Sequence, residues 1–156
     1  PLAFVDYVAV PETDPDVHAV LGASLSDGCS RARVTLAGGE TATLPGIVNE
    51  LDLSGTALGW FPRGSGITGE GLEAGDVLIG LPSSGLHSNG YTLVRAVLER
   101  SGCSLGDAAP FDVEHPSREV DRFPGSSGKA SLGEVILNPT RIYVAPVVDL
   151  IMESRG

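Results

Sequence analysis

Residues 76–101 place an apolar run, a loop of small residues and an amphipathic pattern in direct succession, and this order constrains the fold most strongly. The run DVLIGL is typical of a buried strand. After the loop, one apolar stripe recurs at helical spacing: Tyr91, Val94, Val97 and Leu98. Gly102 then follows as a stop signal. We therefore predict a strand at residues 76–81 and a helix at residues 89–101.

Three other segments have the composition of strands. Residues 4–10 are rich in β-branched and aromatic side chains and predict a buried strand. A short strand is predicted at residues 34–37, which run straight into two glycines, and a longer one at residues 51–61. Residues 43–50 between them are predicted to be a loop.

Two further segments predict helices. Residues 14–31 carry apolar side chains at helical spacing, with Asp14 as N-cap and Pro15 at the first helical position. A last helix follows the sequence NPTR at residues 138–141, with Pro146 in its first turn. Strands that alternate with helices predict the α+β class, with α/β-like layers of sheet and helix.

A domain boundary is predicted near residues 69–75, at the end of the glycine-rich segment at residues 62–75. We expect a first domain over residues 1–70 and the first part of a second domain over residues 71–156. Residues 105–132 are rich in proline, glycine, serine and charge, and predict an exposed loop. Because the chain starts with Pro1 in a strand-like run, we expect a fragment of a longer protein.

The charge of the chain argues against two classes of partner. There are 20 acidic and 10 basic residues, and such a surface repels nucleic acid and anionic membranes. No run approaches the roughly 18 apolar residues of a membrane span. Cys29 and Cys103 lack metal-site spacing and are expected to be free thiols. We expect a soluble, cytoplasmic protein.

The loop before the second helix has the composition of an anion site. Glycines let backbone N–H groups approach a ligand, and the first turn of a helix offers unpaired donors. On this interpretation Ser83, Ser84 and Gly85 cradle a phosphate, Ser88 or Asn89 caps the helix, and His87 donates to the phosphate or carries a proton. The alternative is that Gly85 and Gly90 merely form a turn before a capped helix with no ligand.

A second candidate site lies at residues 36–46, LAGGETATLPG. A strand that ends at two glycines would hold Glu40 beside permissive backbone, and Mg²⁺ uses one or two carboxylates together with phosphate oxygens. On this interpretation Gly38, Gly39 and Thr41 bind the phosphates of ATP and Glu40 binds Mg²⁺. The alternative is a tight turn with a solvated glutamate. Asp6 is either a metal ligand at a strand end, or a group that supports such a ligand, or a carboxylate that merely caps the next turn. His18 and His115 receive no role.

The chain resembles the phosphoribosylformylglycinamidine cyclo-ligase family in three motifs. They are LAGGETATLPG at residues 36–46, DVLIGLPSSGLHSNGYTLVR at residues 76–95 and NPTRIYVAPVVDLI at residues 138–151. The resemblance implies a two-domain protein whose N-terminal ATP-binding domain pairs with that of a second subunit in a homodimer. Residues 1–70 would be the later part of that domain. The family's upstream glycine-rich and aspartate-bearing motifs are absent, which implies that this chain alone is inactive.

The resemblance also implies a reaction and its cofactors, ATP and Mg²⁺. Formylglycinamidine ribonucleotide is cyclised to aminoimidazole ribonucleotide in purine biosynthesis. Glu40 would hold Mg²⁺, and residues 84–90 would hold a phosphate, with His87 as donor or proton carrier. The alternatives are a sibling ATP-dependent enzyme, of the thiamine-monophosphate kinase or selenophosphate synthetase type, and a noncatalytic nucleotide-binding protein.

Overall fold

The computed structural model describes residues 1–110 and 130–154, which form two compact units. The first unit comprises Pro1–Ala74 and Ile142–Gly156, and the second comprises Gly75–Arg141. His115 and most of residues 117–131 lie outside the described residues. The predicted domain division at residue 70 stays a prediction.

The first unit is built on a three-stranded mixed sheet in the order β2-β1-β3. Strand β1 (Ala3–Val10) lies in the centre, parallel to β2 (Thr35–Thr43) and antiparallel to β3 (Asp52–Leu58). Helix α1 (Pro15–Arg31) connects β1 to β2, as a parallel pair requires. Three residues at the end of β1, Val8, Ala9 and Val10, are buried. The predicted mixture of sheet and helix is confirmed.

Helix α1 begins where its capping signals predict. The Asp14 carboxylate accepts hydrogen bonds from the N–H groups of Asp16 (2.9 Å) and Val17 (3.2 Å), and Pro15 is the first helical residue. Both features satisfy or remove donors that an uncapped helix would leave unpaired. Cys29, near the end of the helix, is buried and is a free cysteine.

Helices α2 (Tyr91–Ser101) and α4 (Val144–Glu153) confirm two predicted helices. Gly102 is the C-cap of α2, as predicted, and Pro146 lies in the first turn of α4. Between them the structure adds a short helix, α3 (Leu132–Ile136), that we did not predict. Its signal was present in the sequence, because Ser131 and Glu134 form a reciprocal capping box.

Three strand and loop predictions are wrong in detail. Residues 76–81 form no strand, and Val77, Leu78 and Ile79 are each at least 79% exposed, because no described segment pairs with this run. Strand β3 ends at Leu58 rather than at residue 61. The predicted exposed loop at residues 105–132 is not exposed throughout. Ala109 is buried, and its N–H donates to the carbonyl of Ala130 at 2.8 Å.

Within the first unit, a bidentate ion pair joins helix α4 to the residue that follows the C-cap of α1. The two terminal guanidinium nitrogens of Arg33, Nη1 and Nη2, donate to the two carboxylate oxygens of Asp149, at 2.5 and 2.9 Å. Arg33 follows the C-cap of α1 and has a left-handed backbone with φ of 54°, a conformation that side chains disfavour. The hydrogen bonds from Arg33, and then its charge, lower the pKa of Asp149.

We expect this pair to make stability depend on pH in one direction. A carboxylate whose pKa is lowered by folding contributes stability above its unfolded pKa of about 3.9 and loses it as the pH falls through the lowered value. Asp149→Asn should therefore lower the melting temperature slightly at pH 7 and leave it unchanged below that lowered pKa. The difference should also shrink in concentrated salt, because both side chains are half-exposed. An equal loss at every pH would contradict the assignment.

Within the described ranges, the structure contains no helix that is both long and apolar enough to cross a membrane.

Candidate functional site

The predicted anion loop of the second unit, residues 82–90, leads directly into α2. Gly90 is the N-cap of α2 with φ of 85°, and no side chain caps the helix. The prediction that Ser88 or Asn89 caps the helix is therefore wrong, because a left-handed residue at this position favours glycine over either. The N–H groups of Leu93 and Val94 donate to the carbonyl of Gly90, at 3.1 and 3.2 Å, so the side-chain bond that usually caps a helix start is missing from α2 within the described residues.

Ser84 has an internal role in this loop. It is 4% exposed, and its hydroxyl donates to the carbonyl of Pro139 (3.0 Å) and accepts from the N–H of Arg141 (3.0 Å). The single hydroxyl proton is thus already used within the second unit. Its neighbour Ser83 is exposed, and the Ser83 hydroxyl accepts a long hydrogen bond from the N–H of Gly85 (3.4 Å). Ser83 and Gly85 remain the more accessible members of the predicted cradle.

Three residues that we did not predict hold the loop in place. The side-chain amide of Asn138 donates to the carbonyl of Ser84 at 2.6 Å, and the guanidinium of Arg141 donates to the carbonyl of Pro82 at 3.1 Å. The hydroxyl of Tyr91 donates to the carbonyl of Ile136 at 2.9 Å. These bonds join residues 82–91 to residues 136–141. Sequence periodicity cannot reveal them, since each partner lies at least 45 positions away.

His87 lies in the loop between buried Ser84 and the start of α2, and it is partly exposed. Ser88 and Asn89, which follow it, are exposed. A histidine at this position can exchange protons with solvent and with a bound ligand. Its role as donor or proton carrier stays a prediction.

The second candidate segment differs from the expected strand end. Strand β2 continues through Gly38, Gly39, Glu40 and Thr41 to Thr43, and all of its residues except Ala37 are paired with β1. Pairing with β1 therefore outweighs the weak strand propensity of two successive glycines. The two glycines instead allow β1 and β2 to pair closely. The register of the pairing shifts next to Gly38, and an added Cβ on Gly39 would lie 2.6 Å from the backbone oxygen of Asp6.

The register places the two predicted metal ligands on opposite faces of the sheet. Asp6 pairs with Gly39, and Tyr7 pairs with Glu40. Paired residues share a face and successive residues alternate, so Asp6 and Glu40 point apart. Asp6 lines a cavity of about 360 Å³ together with side chains of α1 and β3, among them Leu21, Leu25 and Leu53. The two carboxylates cannot bind one metal ion together.

No cluster of three or more histidine, cysteine, aspartate or glutamate side chains able to hold a metal occurs among residues 1–110 and 130–154. Glu40 itself is exposed on β2. A carboxylate in that position can supply one ligand to an ion that arrives with phosphate oxygens and water, which is the usual way Mg²⁺ binds.

Two family models match the chain in succession. The model described as AIR synthase related protein, N-terminal domain, matches residues 1–61, and the corresponding C-terminal domain model matches residues 73–154. The gap between the two matches falls in the glycine-rich segment at residues 62–75.

Proteins named phosphoribosylformylglycinamidine cyclo-ligase are similar to this chain over almost its whole length. The protein of Methanothermobacter thermautotrophicus is 46% identical over 97% of the chain and 40% of its own length. The chloroplastic/mitochondrial protein of Vigna unguiculata is 45% identical over 100% of the chain and 36% of its own length. The protein of Methanobrevibacter smithii is 41% identical over 99% of the chain. The chain thus spans about 40% of the length of these relatives.

Proposed function

We propose, since the chain belongs to the AIR synthase related protein family, that the complete protein is an ATP-dependent cyclo-ligase of purine biosynthesis. Its reaction would convert formylglycinamidine ribonucleotide and ATP into aminoimidazole ribonucleotide, ADP and phosphate. The observation that carries the proposal is the similarity to named cyclo-ligases at 41–46% identity over at least 97% of the chain.

The reaction needs a phosphoryl transfer followed by ring closure. The formyl amide oxygen attacks the γ-phosphorus of ATP and ADP leaves; the amidine nitrogen then attacks the activated carbon and phosphate leaves. Phosphoryl transfer depends mainly on positioning and charge neutralisation, and less on covalent help from the protein. A loop that presents backbone donors would therefore serve both the nucleotide and the phosphorylated intermediate.

We propose that residues 83–90 form this phosphate-binding loop. Three features support it: Ser83 and Gly85 are accessible, the first turn of α2 lacks a side-chain cap, and Ser88, Asn89 and Gly90 lead into that turn. The start of a helix carries N–H groups without intrahelical acceptors and a positive dipole end, and both favour an anion. His87 would donate a hydrogen bond to the phosphate or move a proton during ring closure.

On the first unit, we propose that Glu40 is one ligand of the Mg²⁺ that ATP brings with it. Mg²⁺ would neutralise phosphate charge during the transfer. Glu40 fits such a role as a single exposed carboxylate, with Gly38, Gly39 and Thr41 beside it on the edge strand β2. Asp6 lies on the other face and would act separately from that ion.

The setting of the complete protein is also a proposal. We propose that it acts in the cytoplasm as a homodimer and binds a small nucleotide substrate. The excess of acidic over basic residues, 20 to 10, disfavours nucleic acid and anionic membranes as partners. The activity would require segments of the relatives that this chain does not match.

The test is ADP release by the complete gene product with Mg²⁺, in the presence and absence of formylglycinamidine ribonucleotide. We expect release that depends on the ribonucleotide, with aminoimidazole ribonucleotide formed in equal amount. Release without the ribonucleotide would favour a sibling ATP-dependent enzyme instead. Nucleotide binding without any release would favour a noncatalytic nucleotide-binding protein.

A further inference from the structure

The buried contact between Asn138 and Ser84 combines a hydrogen bond with an unsatisfied acceptor. Both residues are 4% exposed, and they are the two buried polar residues of the described part of the chain. The Asn138 amide donates to the Ser84 carbonyl at 2.6 Å, but its own oxygen Oδ1 is buried and has no hydrogen-bond partner among the described residues. An asparagine here therefore both makes a bond and leaves an acceptor unsatisfied.

Stability alone does not favour asparagine at this position. A buried acceptor without a donor loses its hydration and gains nothing in return. An apolar side chain of similar size removes that acceptor, but it leaves the buried carbonyl of Ser84 without its donor, so the two costs are similar in size. Leucine is similar in size and carries no polar atom. What asparagine provides and leucine cannot is a donor to the carbonyl of Ser84.

That donor fixes the orientation of a neighbouring group. The carbonyl of Ser84 and the N–H of Gly85 belong to one planar peptide unit and point in opposite directions. Holding the carbonyl therefore fixes where the Gly85 N–H points. Gly85 has φ of 120° and no side chain to restrict it, so this peptide would otherwise rotate more freely than most.

We propose that Asn138 is a positioning residue: it locks the Ser84–Gly85 peptide so that the Gly85 N–H, which in this structure donates a long hydrogen bond to the Ser83 hydroxyl (3.4 Å), can be presented to a phosphate group. The inference rests on the proposed function of residues 83–90. The phosphate belongs either to ATP or to the ribonucleotide substrate. Ser84 assists from the other side, because its hydroxyl bonds to Pro139 and Arg141 tie the same loop to residues 138–141.

The test compares Asn138→Leu with wild type in the complete protein. We expect the melting temperature of the variant to change little, because removing the unsatisfied Asn138 oxygen offsets the loss of the donor to the buried Ser84 carbonyl. Its dissociation constant for the phosphate-bearing ligand should nevertheless rise about ten-fold, the size of one lost hydrogen bond. Amide hydrogen exchange at residues 83–90 should accelerate, while exchange in α1 stays unchanged.

Separate titrations with ATP and with formylglycinamidine ribonucleotide distinguish the two sources of phosphate, because only the ligand held by this loop should bind more weakly. The control is Asn49→Leu, an exposed asparagine in the loop between β2 and β3 of the first unit. It should leave both dissociation constants unchanged.

Unchanged affinity for both ligands in Asn138→Leu, with unchanged exchange at residues 83–90, would overturn the inference. So would a wild-type protein that binds neither ligand. A wild-type protein that binds ATP without forming aminoimidazole ribonucleotide would overturn the proposed function only, because the effect of Asn138 on ATP binding would still decide the inference.

Discussion

Gly39→Ala is expected to lower the free energy of unfolding by about 3 kcal/mol, the upper range for overpacking a closely packed site. An added Cβ would lie 2.6 Å from both the Cγ and the backbone oxygen of Asp6. The Asp6 side chain could rotate away, but the backbone oxygen belongs to the central strand β1. Relief therefore requires β1 and β2 to move apart where they pair. Urea denaturation of the complete protein measures the loss.

The matched control for this substitution is Gly22→Ala. Gly22 lies in α1, and an added Cβ there meets no heavy atom within 4 Å. Alanine should stabilise the helix by about 1 kcal/mol through its higher helix propensity. Asp6→Gly combined with Gly39→Ala should recover only part of the loss, because the backbone oxygen remains. If Gly39→Ala unfolds at the wild-type urea concentration, the close approach of β1 and β2 is refuted.

Helix ends were predictable because their signals are local. Asp14 with Pro15 starts α1 and Gly102 ends α2, and each acts on backbone groups within a few residues. The pair Ser131 and Glu134 carried an equally local signal for α3 that we did not use. The family resemblance was also readable from short motifs, and the two family models confirm it.

Strands were less predictable because a strand depends on a partner that is distant in sequence. Residues 36–40 pair with β1 and therefore continue a strand through two glycines, whereas residues 76–81 have strand composition but no partner among the described residues. For the same reason, the sequence does not show which face of the sheet each side chain lies on. Asp6 and Glu40 appear equivalent in the sequence, and only the register shows that they point apart.

In the candidate loop, the sequence indicates the kind of site but not the role of each residue. Its composition indicates an anion site, and residues 83–90 do lead into an uncapped helix start. Composition does not distinguish Ser83 from Ser84, although only Ser84 is buried and bonded to residues 138–141. Asn138 begins the NPTR motif, but the motif does not show its role in the loop, because that role depends on burial and on the bond to the Ser84 carbonyl.

His87→Ala in the complete protein is expected to reduce turnover about 100-fold or more, the usual contribution of a positioned acid or base. The melting temperature should change little, because His87 is partly exposed in a loop and outside the apolar stripe of α2. Steady-state formation of aminoimidazole ribonucleotide and thermal unfolding measure the two effects on the same preparation.

The control is His115→Ala, a histidine to which the sequence assigns no role, and it should leave turnover unchanged. His87→Gln separates the two functions proposed for this residue, because glutamine can donate a hydrogen bond to a phosphate but cannot carry a proton at neutral pH. Recovery of turnover by glutamine would identify His87 as a phosphate donor. Failure to recover, with unchanged ligand affinity, would identify it as the proton carrier. Turnover that stays at the wild-type level in His87→Ala would exclude both roles.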